Sequence, residues 1–184
     1  MPVLLLGDPC LREVSEPVTD LSDASFQRDT AALKAALNQF RQEHGFGRAI
    51  AAPQIGIKRR MIAYNLGSGT SVMINPTILE VSEEKFTLWD DCMSFPWLMV
   101  KVRRHCQIKL EFMDESGEMY QWNDMNQSTS ELFQHEIDHL NGVLAVDLAC
   151  DRDSLVAREV YQSQRAYFDG LVDYSIPPLS HTRD

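Results

Sequence analysis

The feature that most constrains this chain is the run Gln134-His135-Glu136-Ile137-Asp138-His139, which contains His-Glu-x-x-His. On a helix, His135 and His139 lie four residues apart and share one face. Two imidazoles at that spacing can grip one metal ion, and Glu136 beside them can reach a water on it. The alternative is a solvated helix face carrying two unrelated histidines. The flanks predict a helix from near Ser128, where Ser128 and Glu131 have capping-box spacing, to Asn141-Gly142.

A hydrolytic metal takes three protein ligands and keeps one position open. The run continues His139-Leu140-Asn141-Gly142, as in metzincin proteases, but Ala145 stands where their third histidine would be. His44, His105, His181, several carboxylates and Cys92 all remain as third ligands. Cys92 stands out by its setting, between Trp89-Asp90-Asp91 and Met93-Ser94-Phe95-Pro96, a polar break between strand-like runs. On spacing alone a buried small hydrophobe is the better reading of a lone cysteine. A third segment, residues 45 to 56, is rich in small residues that let a backbone approach a ligand. Gln54 within it can donate its amide to a developing oxyanion. No Gly-Lys-Ser or Gly-Lys-Thr ends the segment, so it is not a phosphate loop; a tight helix-to-strand turn is the plainer reading.

The rest of the chain reads as helix, strands, helix, helix, which argues α+β. Phe26, Leu33, Leu37 and Phe40 fall on one helical face, with Ser22 or Asp23 as cap and Gly45 and Gly47 as stop. Strands are expected at Met61–Tyr64, Val72–Ile74 (ending in an Asn75-Pro76 turn), Phe86–Trp89, Gln107–Phe112 and Met119–Trp122. A last helix is expected over Asp153–Asp169, turning Val156, Val160, Tyr167 and Leu171 inward. The expected division is one domain over 1–172 and a mobile tail over 173–184.

The 184 residues suffice for one core. The net charge of −10 comes from 17 basic and 27 acidic residues, with no basic face for nucleic acid. Lys58-Arg59-Arg60 and Arg103-Arg104 read as solvated strand ends. Met1 to Leu6 is too short for a signal peptide, and no run is long enough to span a bilayer. Cys10, Cys92, Cys106 and Cys150 are expected as thiols in a reducing compartment, which places the protein in the cytoplasm.

Taken together, the three segments resemble the signature motifs of the peptide deformylase family, in order and approximate spacing. Residues 47–54 are similar to G-x-G-x-A-A-P-Q, 90–94 to E-G-C-x-S, and 134–139 to Q-H-E-x-D-H at every fixed position. Leu5-Gly7-Asp8-Pro9, Leu11-Arg12 and Ile74-Asn75-Pro76 also resemble family segments, so that the likeness covers about residues 1–150. It implies antiparallel sheets around a central HExxH helix. It implies one divalent metal on Cys92, His135 and His139, with Fe²⁺ favoured in the cell and Zn²⁺, Ni²⁺ or Co²⁺ accepted. Glu136 would move the proton of the attacking water to the leaving amine. Gln54 and the backbone N–H of Met93 would hold the oxyanion. The implied substrate is N-formylmethionine at the start of new polypeptides, met transiently at the ribosome, with neither nucleic acid nor membrane as a direct partner.

The chain departs from the family around the cleft. Ala49 replaces a glycine, Asp90 a glutamate and Asp91 another glycine, while Trp97 follows Pro96. Ser128 or Gln127 stands where the family has an apolar residue facing its methionine pocket. Gly47, Ala49, Ile50, Asp91 and Trp97 are therefore expected to shape the substrate site, with Asp91 disfavouring acidic substrates. Two further readings stay open: hydrolysis of another small N-formyl or amide compound, and a metal-binding or ribosome-associated protein without turnover.

Overall fold

The computed structural model describes residues 2–176. Asp23 starts the first helix by accepting a hydrogen bond from the Ser25 N–H, and α1 runs Ala24–His44. Phe26, Leu33, Leu37 and Phe40 are buried along one face, as their spacing predicts. Gly45 ends the helix at φ 72°, a left-handed cap.

Seven strands come next: β1 (Ala49–Ala51), β2 (Met61–Tyr64), β3 (Ser71–Val81), β4 (Lys85–Asp91), β5 (Leu98–His105), β6 (Ile108–Met113) and β7 (Met119–Trp122). The HExxH helix is α2, Gln127–Leu140. The chain then forms β8 (Leu155–Ala157), α3 (Arg158–Ser163) and α4 (Arg165–Asp169). One sheet has the order β1-β2-β3-β6-β7 and the other β4-β5-β8. Every strand pair is antiparallel. α1 packs on the five-stranded sheet. α2 contacts β1 of that sheet and β5 of the other, so it lies between the two. The architecture is α+β with antiparallel sheets around the HExxH helix, as expected.

Three local expectations give way. Asn75-Pro76 does not end a strand; β3 continues through it with a register shift between Ile74 and Thr77. Pro76 lacks the ladder N–H and is tolerated at such an irregularity, while Asn75 takes the left-handed φ of 52°. The Asn75 side chain fastens the N-terminal segment there, accepting from Val18 N and donating to Val18 O, each at 2.8 Å. The cap of α2 is Asn126, which accepts from Thr129 N, and not Ser128. Glu131 is drawn instead into an ion pair with Arg48.

The single C-terminal helix is broken into β8, α3 and α4. Leu155–Ala157 covers an edge of the smaller sheet by pairing with β5, which removes those residues from any helix. Gln164, at φ −125°, separates α3 from α4. Val160, Tyr167 and Leu171 are exposed rather than inward. Phe168 makes the inward contact, edge-on to Trp89 at 5.4 Å. Residues 173–176, expected to open the tail, are docked on β4. Asp173 accepts from the N–H and hydroxyl of Thr87, and Tyr174 packs against Phe86 at 5.4 Å. The rest of the expected tail, 177–184, lies outside the described residues.

Candidate metal centre

Ten of the fourteen α2 residues are buried, so both its apolar and its polar face are covered. Leu132, Phe133, Ile137 and Leu140 pack against the five-stranded sheet in one core cluster. His135, Glu136 and His139 are buried as well. The loop after β4 brings Cys92 to this helix. Its Sγ is 3.2 Å from His139 Nε2, which is 3.2 Å from His135 Nε2, and one ligand atom from each residue falls within 4.8 Å of the others.

These three residues fit a small divalent cation. Bonds of about 2.0–2.3 Å in a tetrahedral N/S site set the donors about 3.3–3.6 Å apart, close to the spacing found. His135 Nδ1 is 2.9 Å from Asp90 Oδ2, a contact that turns the Nε2 lone pair toward the cluster. Among the described residues Glu136 Oε2 has no hydrogen-bond partner although it is buried.

A buried ionic chain supports this cluster. Arg104 donates to Asp90 at 3.2 Å and also pairs with Asp138 on α2. The solvated strand end expected at Arg103-Arg104 holds for Arg103 alone; Arg104 is 4% exposed. Strand alternation explains this, because Val100, Val102 and Arg104 share the inward face of β5. Burial alone would raise the Asp90 carboxyl, but His135 and Arg104 outweigh it and hold it at about 2. Gln134 adds a second anchor, accepting from His105 N and donating to His105 O, both at 2.9 Å.

On Glu136 burial outweighs the opposing pull of His135 and Arg48 and pushes the carboxyl up to about 7. It also raises the Cys92 thiol, which His135 partly offsets. Gln54 sits in a 3₁₀ turn, Ala52–Ile55. Its Oε1 accepts from Ala51 N at 2.9 Å, while its Nε2 donates to Ser94 Oγ at 3.2 Å and faces Cys92 Sγ at 3.5 Å.

A cavity of about 460 Å³ opens on the cluster. Gln54, Cys92, Met93, His135, Glu136, Gly47, Ala49 and Asp91 all line it. Gly47 is at φ 110°, and a Cβ there would meet Met93 Cε at 2.5 Å. Two expected cleft residues stand elsewhere. Ile50 is fully buried on the other face of β1, in the core beneath α1. Trp97 is 51% exposed and does not line the cavity; its backbone carbonyl accepts from Arg158 N. Asp91 is not a free charge, since Arg158 pairs with it at 2.9 Å and stacks over Phe46.

Four contributors to the site lie outside the sequence expectations. Arg104 was legible in the alternation of β5. Glu131, one turn before His135, was legible in helical spacing, and it lines the cavity where Ser128 or Gln127 was expected. Arg48, its partner, and Arg158 carried no local signal.

The family model described as polypeptide deformylase matches residues 1–154. A curated peptide deformylase of Thermotoga sp. is 34% identical over 159 residues, covering 85% of this chain and 92% of that one. The crystal structure of the Thermotoga maritima peptide deformylase superposes with a TM-score of 0.71 at 33% identity, over 81% of this chain and 97% of that one. That of a Synechococcus elongatus peptide deformylase in complex with actinonin gives 0.74 at 26% identity, over 90% and 86%.

Proposed function

Because the chain belongs to the peptide deformylase family, hydrolases that remove N-formyl groups, we propose a division of labour among its residues. Cys92, His135 and His139 hold one divalent metal. When bound, such an ion supplies Lewis acidity toward a water and a carbonyl oxygen. Glu136 takes the proton of the attacking water and delivers it to the leaving amine. Burial, which favours the protonated form of this carboxyl, suits a group that must hold the proton between the two transfers. Gln54 Nε2 and the Met93 backbone N–H donate to the developing oxyanion. Asp90, itself fixed by Arg104, keeps His135 oriented as a ligand.

The observation that carries this reading is the convergence of three buried donors beside the unpartnered Glu136 carboxylate. The ion in the cell is Fe²⁺, with Zn²⁺, Ni²⁺ and Co²⁺ as substitutes, since a thiolate and two imidazoles suit all four. The substrate is the N-formyl end of new polypeptides, met in the cytoplasm and transiently at the ribosome. Among the described residues no helix is long and apolar enough to cross a membrane. Formate release by the Fe²⁺-loaded protein, measured on formyl-Met peptides and a panel of simple formamides, tests the reading. The peptides should be turned over well ahead of the formamides. Equal or faster turnover of the formamides would reject a peptide substrate.

A further inference from the structure

The wall formed by α3, α4 and the segment after them turns two arginines toward the cavity, in a chain whose net charge is −10. Arg158, Tyr161, Gln162 and Arg165 line it, joined by Tyr174 and Ser175. The match to the family model ends at residue 154, so this wall belongs to the chain's own C-terminal segment. The carboxylates that share the cavity are already engaged. Asp91 is paired with Arg158, Glu131 with Arg48, and Asp90 with Arg104 and His135. Glu136 belongs to the α2 wall, at the metal donors.

Arg165 differs from the other arginines of the cavity. Its partner, Asp169, does not line the cavity and takes only the Nε, at 3.2 Å. Asp169 also accepts from the Tyr161 hydroxyl at 2.7 Å, so one carboxylate holds both side chains in place. Among the described residues the two terminal amino groups of Arg165 have no hydrogen-bond partner. The side chain is 52% exposed, which leaves that fork open to a ligand.

We infer that Arg165 binds a substrate carboxylate downstream of the formyl group, on the second or third residue or at the chain end of a short peptide. The inference rests on the deformylase reading above and leaves the first side chain to the other wall. A guanidinium whose Nε is taken still offers Nη1 and Nη2 to one carboxylate as two parallel bonds. In an extended peptide each residue advances about 3.4 Å, so the second and third residues lie about 7–10 Å beyond the formyl amide. A peptide with its formyl carbon at the metal donors therefore reaches the facing wall of a cavity of about 460 Å³. Asp91 does not oppose this, because Arg158 answers its charge.

Steady-state kinetics on four peptides test this. The neutral reference is formyl-Met-Ala-Ser amide; the others are its free acid and the amides of formyl-Met-Glu-Ser and formyl-Met-Ala-Glu. Wild type should favour at least one carboxylate peptide over the reference by about three- to fivefold in kcat/KM, the range of a half-exposed ion pair. The gain should lie in KM, because the contact is the same in ground and transition states, and should shrink with added salt. Arg165→Gln, checked by thermal melting, should bring the ratio to one or below. Asp169→Asn removes the competing carboxylate and should enlarge it. A gain confined to the free acid identifies the chain end of short peptides, and a gain on a glutamyl amide identifies a side chain of longer ones. A wild-type ratio of one, or a ratio that Arg165→Gln leaves unchanged, overturns the proposal. An absence of formate from every peptide would instead sink the deformylase reading. The site is then read from the affinity of the same peptides for the metal-loaded protein. Tighter binding of a carboxylate peptide, lost in Arg165→Gln, supports the proposal, and equal binding of all four overturns it.

Discussion

The cavity wall built by α2, β4 and β5 and the wall built by residues 155–176 face the same space but are held in different ways. The first is a buried ionic and hydrogen-bonded network. Asp90 contacts both His135 and Arg104, Arg104 also reaches Asp138, and Gln134 clasps His105. The second has no buried residue in α3 or α4. It rests on the Arg158–Asp91 pair, the Trp89–Phe168 contact with its 2.8 Å indole hydrogen bond, and Asp173 on Thr87. The match to the family model ends at residue 154, just before this second wall. The proposed chemistry thus falls on the buried, ionically tied wall, and the wall facing it across the cavity is more solvated.

Substitutions on the two walls should differ accordingly. The largest effect is expected for Cys92→Ala. Metal analysis of the purified variant should show most of the bound metal lost, and formate release with it. Full occupancy in that variant would remove the first wall from the chemistry altogether. Next comes Glu136→Gln, which should retain its metal while kcat falls by about 10²–10⁴. A kcat near wild type would transfer the proton to another group. Arg104→Leu leaves the buried Asp90 with His135 as its remaining partner and frees Asp138 at the edge of the site, and denaturant unfolding should register a loss of about 3–5 kcal/mol. The smallest effect is expected across the cavity, for Arg158→Ala. Its ion pair with Asp91 is partly solvated and contributes about 1 kcal/mol or less, so stability should barely move. The bared Asp91 should instead lower kcat/KM for acidic formyl peptides by about fivefold or less, with neutral peptides unaffected. Should Arg158→Ala prove as damaging as Arg104→Leu, the contrast between the walls collapses.

The same contrast marks what the sequence discloses. α1 and β6 announce themselves because helical and strand periodicities there coincide with burial, while α2 is marked by its flanking cap and stop residues. His135, His139 and Glu136 are legible because helical spacing alone juxtaposes them. Bringing Cys92 to them takes the β4 loop, a tertiary placement that local pattern does not encode. Arg48 and Glu131 are 83 residues apart, and nothing at either end reports the other. The C-terminal helix fails as an expectation for a related reason. The edge of β5 claims residues 155–157 for the sheet, and that edge is invisible until the sheet exists.

The Gln134 clasp has a further consequence, for the order in which the molecule comes apart. One side-chain amide of α2 completes the hydrogen bonding of His105, 29 residues earlier at the end of β5. The helix therefore cannot rotate or lift without opening the strand terminus. The two elements should act as a single cooperative unit in native-state hydrogen exchange. Amides of α2 and of the inward positions of β5 are expected to exchange together and late, while those of α3 and α4 exchange through small local openings. A helix that unzipped well before β5 would show that the clasp ties nothing together.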